Sequence, residues 1–229
     1  LGIADNTIVI FSADNGPEIL TWPDGGMTAF RGEKGTTWEG GVRVPLLVRW
    51  PGQVEAGKVS NGIMDAMDLL PTLVAAAGGP SDLRDRMLEG YNGHKAHLDG
   101  YNQLDLLTGN GESARKEIIY YERTTLQAVR YGNWKAHFIV QPHGWAGAKE
   151  VLTAPLLYNL RQDPFERASE ESGMYVRWMG QKMWAFGPAQ RIVQRHLGTF
   201  KDWPPVSTAA AQNQGKLSEQ LESEGGVGR

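Results

Sequence analysis

A continuous run of β-branched and aromatic residues, Thr7-Ile8-Val9-Ile10-Phe11, leads straight into Ser12-Ala13-Asp14-Asn15-Gly16-Pro17. The run is too short for a helix and shows no alternation of apolar and polar residues. It suits a strand covered on both faces, as in a parallel sheet. The polar residues that end it are strong turn formers. In open α/β sheets, ligands gather at the carboxyl ends of strands. Asp14 offers a carboxylate there and Asn15 an amide oxygen, both hard donors suited to Ca²⁺ or Mg²⁺. An ordinary Asx turn would use the same three residues, Asp14-Asn15-Gly16, without any metal.

Residues 16–41 form a long, glycine-rich connection, of a length that often carries function. Within it lies Phe30-Arg31-Gly32-Glu33-Lys34-Gly35-Thr36-Thr37-Trp38-Glu39-Gly40-Gly41. Arg31 and Lys34 could hold an oxyanion, the first as a planar fork and the second as a point charge. A solvated loop of alternating charge fits the same residues. The order Lys-Gly-Thr is not that of a P-loop, and the upstream glycine spacing is missing.

The remaining pattern predicts a strand over 42–50, with Pro45 at an edge or at the start of the strand proper. A helix over 68–77 follows, N-capped by Asp68, with Pro71 in its first turn and Gly78-Gly79-Pro80 as its stop. Residues 80–116 read as a mixed boundary region. Strands are predicted at 118–121, 128–131, 134–140 and 156–160, with Gly132-Asn133 as a two-residue hairpin turn. Residues 174–200 have helical periodicity broken at Gly187-Pro188. The tail from Ser207 suggests one short helix near 217–221. Three segments result: an α/β portion over 1–109, an antiparallel α+β subdomain over 110–206, and a tail over 207–229.

Several classes are excluded. The 23 basic against 26 acidic residues give a net charge of −3, which disfavours a nucleic-acid binder held by phosphate contacts. No apolar run approaches the roughly 18 residues of a membrane span. The absence of Cys removes disulfides, thiolate metal sites and a Cys nucleophile from these residues. Neither a Gly-x-Ser-x-Gly elbow nor His-Glu-x-x-His occurs. His94 and His97 read as surface residues, as do Asp99, Asp105 and Glu112. Tyr120, Tyr121, Trp134 and Trp178 read as packing residues. Leu1-Gly2 looks like a helix end, which suggests that sequence precedes it, including any targeting signal.

Three segments taken in order, TIVIFSADNGP (7–17), FRGEKGTTWEGGVRVP (30–45) and DLLPTLVAAAG (68–78), resemble the arylsulfatase-like sulfatases of the alkaline-phosphatase superfamily. So do HLDGYNQLDLLTG (97–109), AVRYGNWK (128–135) and LYNLRQDPFERA (157–168). The resemblance implies an α/β fold: the C-terminal portion of an alkaline-phosphatase-like sulfatase sheet, followed by a smaller antiparallel α+β subdomain. It implies Asp14 and Asn15 as two ligands of a Ca²⁺ ion, and Lys34 as a catalytic, sulfate-binding residue. The family's nucleophile is a formylglycine made from a Cys or Ser in a Cys/Ser-x-Pro/Ala-x-Arg motif, which this sequence does not contain. The expected partner is a small-molecule or glycan sulfate ester, with a complementary N-terminal sulfatase segment supplying the nucleophile. Without that segment, weak or no metal binding and no turnover are expected. Two alternatives stand beside sulfate-ester hydrolysis: a phosphonate monoester or phosphodiester hydrolase, and a non-catalytic remnant that binds a partner or a sulfated glycan. The usual setting of such proteins is periplasmic or secreted.

Overall fold

The computed structural model describes residues 1–204. Its largest layer is a four-stranded antiparallel sheet of β3 (Glu117–Glu122), β4 (Thr125–Tyr131), β5 (Trp134–Val140) and β6 (Glu150–Asn159), in sequence order. Gly132 and Asn133 form the predicted tight turn, with Tyr131 paired to Trp134 across it. β6 begins earlier than the apolar run at 156 suggested, because its first half pairs Val151 with Ile139 and Glu150 with Val140.

Strand pairing sorts the side chains into two faces. Ile119, Val129, Ala136 and Leu157 lie in one cross-strand row. They pack with Ala185, Ala189 and Ile192 into an apolar core, each fully buried Val or Leu contributing about 1.5–3 kcal/mol. The neighbouring rows, Ile118-Arg130-Lys135-Tyr158 and Tyr120-Ala128-His137-Leu156, point to the opposite face. That face meets Trp38 and the glycine-rich loop.

The helix that covers the apolar face is α7 (Phe186–Thr199), preceded by a 3₁₀ turn (Met183–Ala185) and α6 (Tyr175–Gln181). The interruption thus falls at Lys182, not at Gly187-Pro188. Pro188 sits in the first turn of α7, where its missing N–H leaves no intrahelical bond unmade. Trp134 stacks on Trp178 with ring centres 5.9 Å apart, and Tyr120 is buried, as packing residues should be. The tail helix proposed for 217–221 lies outside the described residues.

The N-terminal run departs most from expectation. β1 (Val9–Ser12) pairs antiparallel with β2 (Leu46–Arg49) in a two-stranded sheet. Neither burial on both faces nor a parallel neighbour is present among the described residues. Phe11 and Leu47 are 63% and 60% exposed, because no described layer covers them. Pro45 falls just before β2, at the start of the strand proper.

Ahead of β2, α1 (Glu39–Val42) is a single helical turn. Beyond it, α2 (Leu69–Ala76) forms as predicted, but Asp68 makes no side-chain cap to it. Asp65 instead caps the preceding turn, accepting from the Met67 N–H at 3.0 Å. The Asp68 carboxylate is fully buried and faces Arg115, accepting from Nη2 at 2.6 Å and Nε at 2.9 Å. It also accepts from the Tyr101 N–H and from Gln103 Nε2. Burial alone would raise the Asp68 carboxyl; the Arg115 hydrogen bonds and the backbone donors outweigh it and hold it below the usual range. The stretch read as a boundary contains α3 (Leu83–Glu89) and α4 (Leu104–Thr108). His94, Asp99, Asp105 and Glu112 are exposed; His97 is half-buried, 3.3 Å from Asp99 and packed against Trp203. No described helix is long and apolar enough to cross a membrane.

Removing one partner of a buried ion pair leaves the other charge uncompensated. Arg115→Met is therefore expected to lower unfolding stability by about 3–5 kcal/mol, and the double variant Asp68→Asn/Arg115→Met to recover part of that loss. Urea titration of the three proteins measures both values.

Candidate active site

β1 ends in the tripeptide that offers the two oxygen donors. Gly16 then meets the glycine-rich loop: its N–H donates to Gly41 O at 3.0 Å. A Cβ on Gly16 would lie 1.8 Å from Gly40 O, so only glycine permits this approach. One residue on, Pro17 O accepts from the Lys34 N–H at 3.0 Å. Two backbone bonds thus fix Asp14 and Asn15 relative to both ends of the 34–41 segment. Asp14 and Asn15 line a cavity of about 920 Å³ together with Glu39, Arg43, Tyr120 and Arg130.

The Lys34 ammonium does not reach that wall. It donates to Glu18 Oε2 at 2.9 Å and lies 4.9 Å from the centre of the Trp145 indole. The structure therefore ties the Lys34 backbone to Pro17, just past the Asp14-Asn15-Gly16 turn, and pairs its ammonium with Glu18 instead of bringing it to Asp14 and Asn15. Arg31 stacks over Trp38 at 3.8 Å and donates to Glu166 O, so it braces the loop. Among the described residues, no three His, Cys, Asp or Glu side chains gather to hold a metal. Asp14 and Asn15 offer two oxygen-bearing side chains on the cavity wall.

Beneath the loop lies a group that sequence reasoning did not single out. Glu39, Lys135, His137 and Glu166 are fully buried. Lys135 Nζ donates to Glu39 Oε1 at 2.9 Å and lies 3.2 Å from Glu166 Oε1. His137 Nε2 meets Glu166 Oε1 at 2.7 Å, and the Glu39 N–H donates to Glu166 Oε2 at 2.6 Å. Arg43 Nε donates to the other Glu39 oxygen at 2.6 Å. Trp38 covers the His137 ring at 4.4 Å. The only sequence signal was Lys135 and His137 alternating with apolar residues in β5, a pattern that usually marks a solvated face. Glu166 adopts a left-handed conformation, φ 54°.

Burial would raise the Glu166 carboxyl, but the Lys135 ammonium and the His137 hydrogen bond hold it at about 2. Glu39 is likewise lowered against its burial by Lys135. Burial depresses His137, despite the opposing Glu166 contact, so the imidazole is neutral in the fold. All three shifts act in one direction. A group whose folded pKa is depressed contributes stability above its unfolded pKa and loses it as the pH falls. Stability is expected to decline first below about 6.5, where the unfolded chain protonates His137, and again below about 4.5, where unfolded carboxylates protonate. His137→Gln should shrink the first decline, leaving the share of His196, which burial also depresses, and keep the second. Denaturant titrations at stepped pH read both, and an unchanged first decline would remove His137 from this account.

Residues 1–79 match the sulfatase family, and residues 113–213 match the C-terminal region of aryl-sulfatase. Arylsulfatase A of Homo sapiens is 40% identical over 183 residues, covering 72% of this chain and 34% of that protein. N-acetylgalactosamine-6-sulfatase of Homo sapiens is 34% identical over 191 residues, with 73% and 34% covered. The PsFucS1 sulfatase from Pseudoalteromonas sp. superposes with a TM-score of 0.73 at 32% identity, over 90% of this chain and 40% of that structure. The chain thus spans about a third of the length of the curated relatives it matches. Both portions of the fold lead to relatives of one kind, so the chain belongs to the arylsulfatase-like sulfatases and corresponds to their C-terminal portion.

Proposed function

We propose that this chain forms part of a sulfuric-ester hydrolase, contributing two metal donors and a sulfate-binding lysine to a site whose nucleophile lies outside these 229 residues. The observation that carries the reading is the interlock of Asp14-Asn15-Gly16 with the Lys34–Gly41 segment, in a chain 40% identical to an arylsulfatase over most of its length. The occupant expected on the wider cavity is the complementary N-terminal part of such an enzyme.

The donor set fits Ca²⁺ in kind. A carboxylate and a neutral amide are both oxygen ligands, and they supply two of the roughly 6–8 that the ion takes. Bound there, the ion would supply positive charge next to an anionic ester. The chain's own residues do the rest. Asn15 adds an oxygen without adding negative charge, so the site stays receptive to an anion. Glu33 is buried and accepts from the Ile19 N–H at 2.7 Å, which ties the residue before Lys34 to the segment that follows Pro17. Lys34 keeps its charge at the surface against Glu18. An arriving sulfate ester competes with that carboxylate for the ammonium, which then stabilises negative charge as it shifts in the transition state.

In the protein that carries this chain, Lys34→Ala is expected to lower kcat/KM for phenyl sulfate by about 10²–10³-fold. Asp14→Ala should lower both the rate and the Ca²⁺ content measured by elemental analysis. An unaltered kcat/KM in the lysine variant would sink the assignment. Faster turnover of phenyl phosphonate than of phenyl sulfate by the unaltered protein would favour the phosphonate hydrolase instead. The 229 residues alone should turn over neither ester.

A further inference from the structure

Four Asn-Gly pairs occur in the chain, at 15–16, 61–62, 92–93 and 110–111. In such a pair the glycine's backbone nitrogen can attack the preceding carboxamide, because no Cβ hinders its approach. The attack asks three things of the fold: an N–H that is not already donating, room for the peptide to turn over, and access to water. Three of the pairs are refused at least one of these. The Gly16 N–H donates to Gly41 O at 3.0 Å, and Gly16 is buried against Gly40. The Gly111 N–H donates to Asp105 O at 3.1 Å, and the Asn110 amide is itself tied to Thr108 Oγ1 at 3.0 Å. The Gly62 N–H donates to Ser60 Oγ at 3.2 Å, and a Cβ on Gly62 would fall 2.5 Å from Leu106 Cδ1.

Asn92-Gly93 meets all three conditions. The pair forms a two-residue turn closed by Tyr91 N–H to His94 O at 2.8 Å and by His94 N–H to Tyr91 O at 3.0 Å. Both residues are exposed. Among the described residues nothing accepts from the Gly93 N–H, and beyond its chain neighbours no atom lies within 4 Å of where a Gly93 Cβ would stand. Asn92 has φ 50° and Gly93 φ 81°, the pattern of a type I′ turn. Turning over the one peptide between them gives a type II′ turn, in which Asn92 keeps its positive φ and its ψ moves to about −120°. At that ψ the Gly93 nitrogen comes round to the side of the Asn92 Cβ, while both Tyr91–His94 bonds stay made. Glycine accepts either sign of φ at the second position.

We infer that Asn92 is a self-modification site, at which the Gly93 nitrogen closes on Asn92 Cγ and the carboxamide is lost as ammonia. The bond formed is N–Cγ. The bond broken joins Cγ to the amide nitrogen, which leaves with the proton given up by the Gly93 nitrogen. Solvent water then opens the resulting cyclic imide. Opening at Cγ leaves aspartate, and opening at the Asn92 carbonyl carbon leaves isoaspartate, with the main chain routed through Cβ. Either way a carboxylate replaces a neutral amide, and the net charge of −3 becomes one unit more negative. The turn lies between the spans matched to the sulfatase family, 1–79 and 113–213, and its reactivity does not depend on ester hydrolysis.

In the protein that carries this chain, trypsin isolates Asn92 in the peptide Met87–Lys95, where it is the only Asn. After incubation of the folded protein in mildly alkaline buffer, that peptide should gain the mass of one deamidation and accept methyl groups from an isoaspartyl methyltransferase. It should do so before the peptides that hold Asn15, Asn61 or Asn110. In urea the four pairs should react alike. Asn92→Gln should abolish methyl acceptance by this peptide, and Gly93→Ala should slow it. Reaction at another of the four pairs as fast as at Asn92 in the folded protein would overturn the assignment. So would an unreactive Asn92 in a protein whose unfolded form reacts there, and so would a preference for Asn92 that persists in urea.

Discussion

Lys135 has no access to water, and two carboxylates stand within 3.2 Å of its ammonium. A buried ammonium is tolerated only if its charge and its donors are satisfied. Here one carboxylate comes from the glycine-rich loop and the other from the segment after β6. The sheet, the loop and the β6 return must therefore be in place together, or an unpaired charge is left in the interior. The interaction that neutralises Lys135 is also the one that seats Glu39, and with it α1, Gly40 and Gly41. Those glycines hold Gly16, and Gly16 holds Asp14 and Asn15. The position of Asp14 and Asn15 is thus set by a charge pair on the far side of the loop.

Strand alternation explains why this works on one face only. In β5, Trp134, Ala136 and Phe138 face α7, and Lys135 and His137 face the loop. A slip of one residue in the β4–β5 register would put the lysine and the histidine under α7 and the apolar set against Glu39. The turn at Gly132-Asn133 fixes that register. A local turn signal therefore governs whether distant carboxylates find their partners. The same face continues through Arg130 and Tyr120 to the cavity that Asp14 and Asn15 line.

The legible parts of the sequence were those where a local rule suffices. Gly132-Asn133 between two strand-forming runs, AVRY and WKAHFIV, dictates a hairpin, and Leu69–Ala76 has the composition of a helix. The order of the segments around Asp14-Asn15 and Lys34 carried the family. The parts that failed depend on what lies across from a residue. Asp68 has the chemistry of an N-cap, yet a guanidinium 47 positions away in sequence offers its carboxylate two charged hydrogen bonds. A neutral cap cannot match these, being worth about half as much per bond. Thr7–Phe11 reads as doubly buried, yet its cover is not among the described residues. Glu166 carried no signal, and the alternation of Lys135 with apolar residues in β5 reads as a solvated face until its partner is known.

The outward turn of Lys34 follows from the same electrostatics. The ammonium is held between Glu18 at 2.9 Å and the electron-rich face of Trp145. Its side chain is a third exposed, so the pair with Glu18 is screened and weak. The four-carbon side chain and its weak pairing leave the ammonium free to move while the Lys34 backbone stays pinned to Pro17. A rigid backbone and a loosely held charge are what the proposed anion site would need to receive an ester and release a sulfate. The glycine interlock holds the backbone, and the pair with Glu18 lies at the surface.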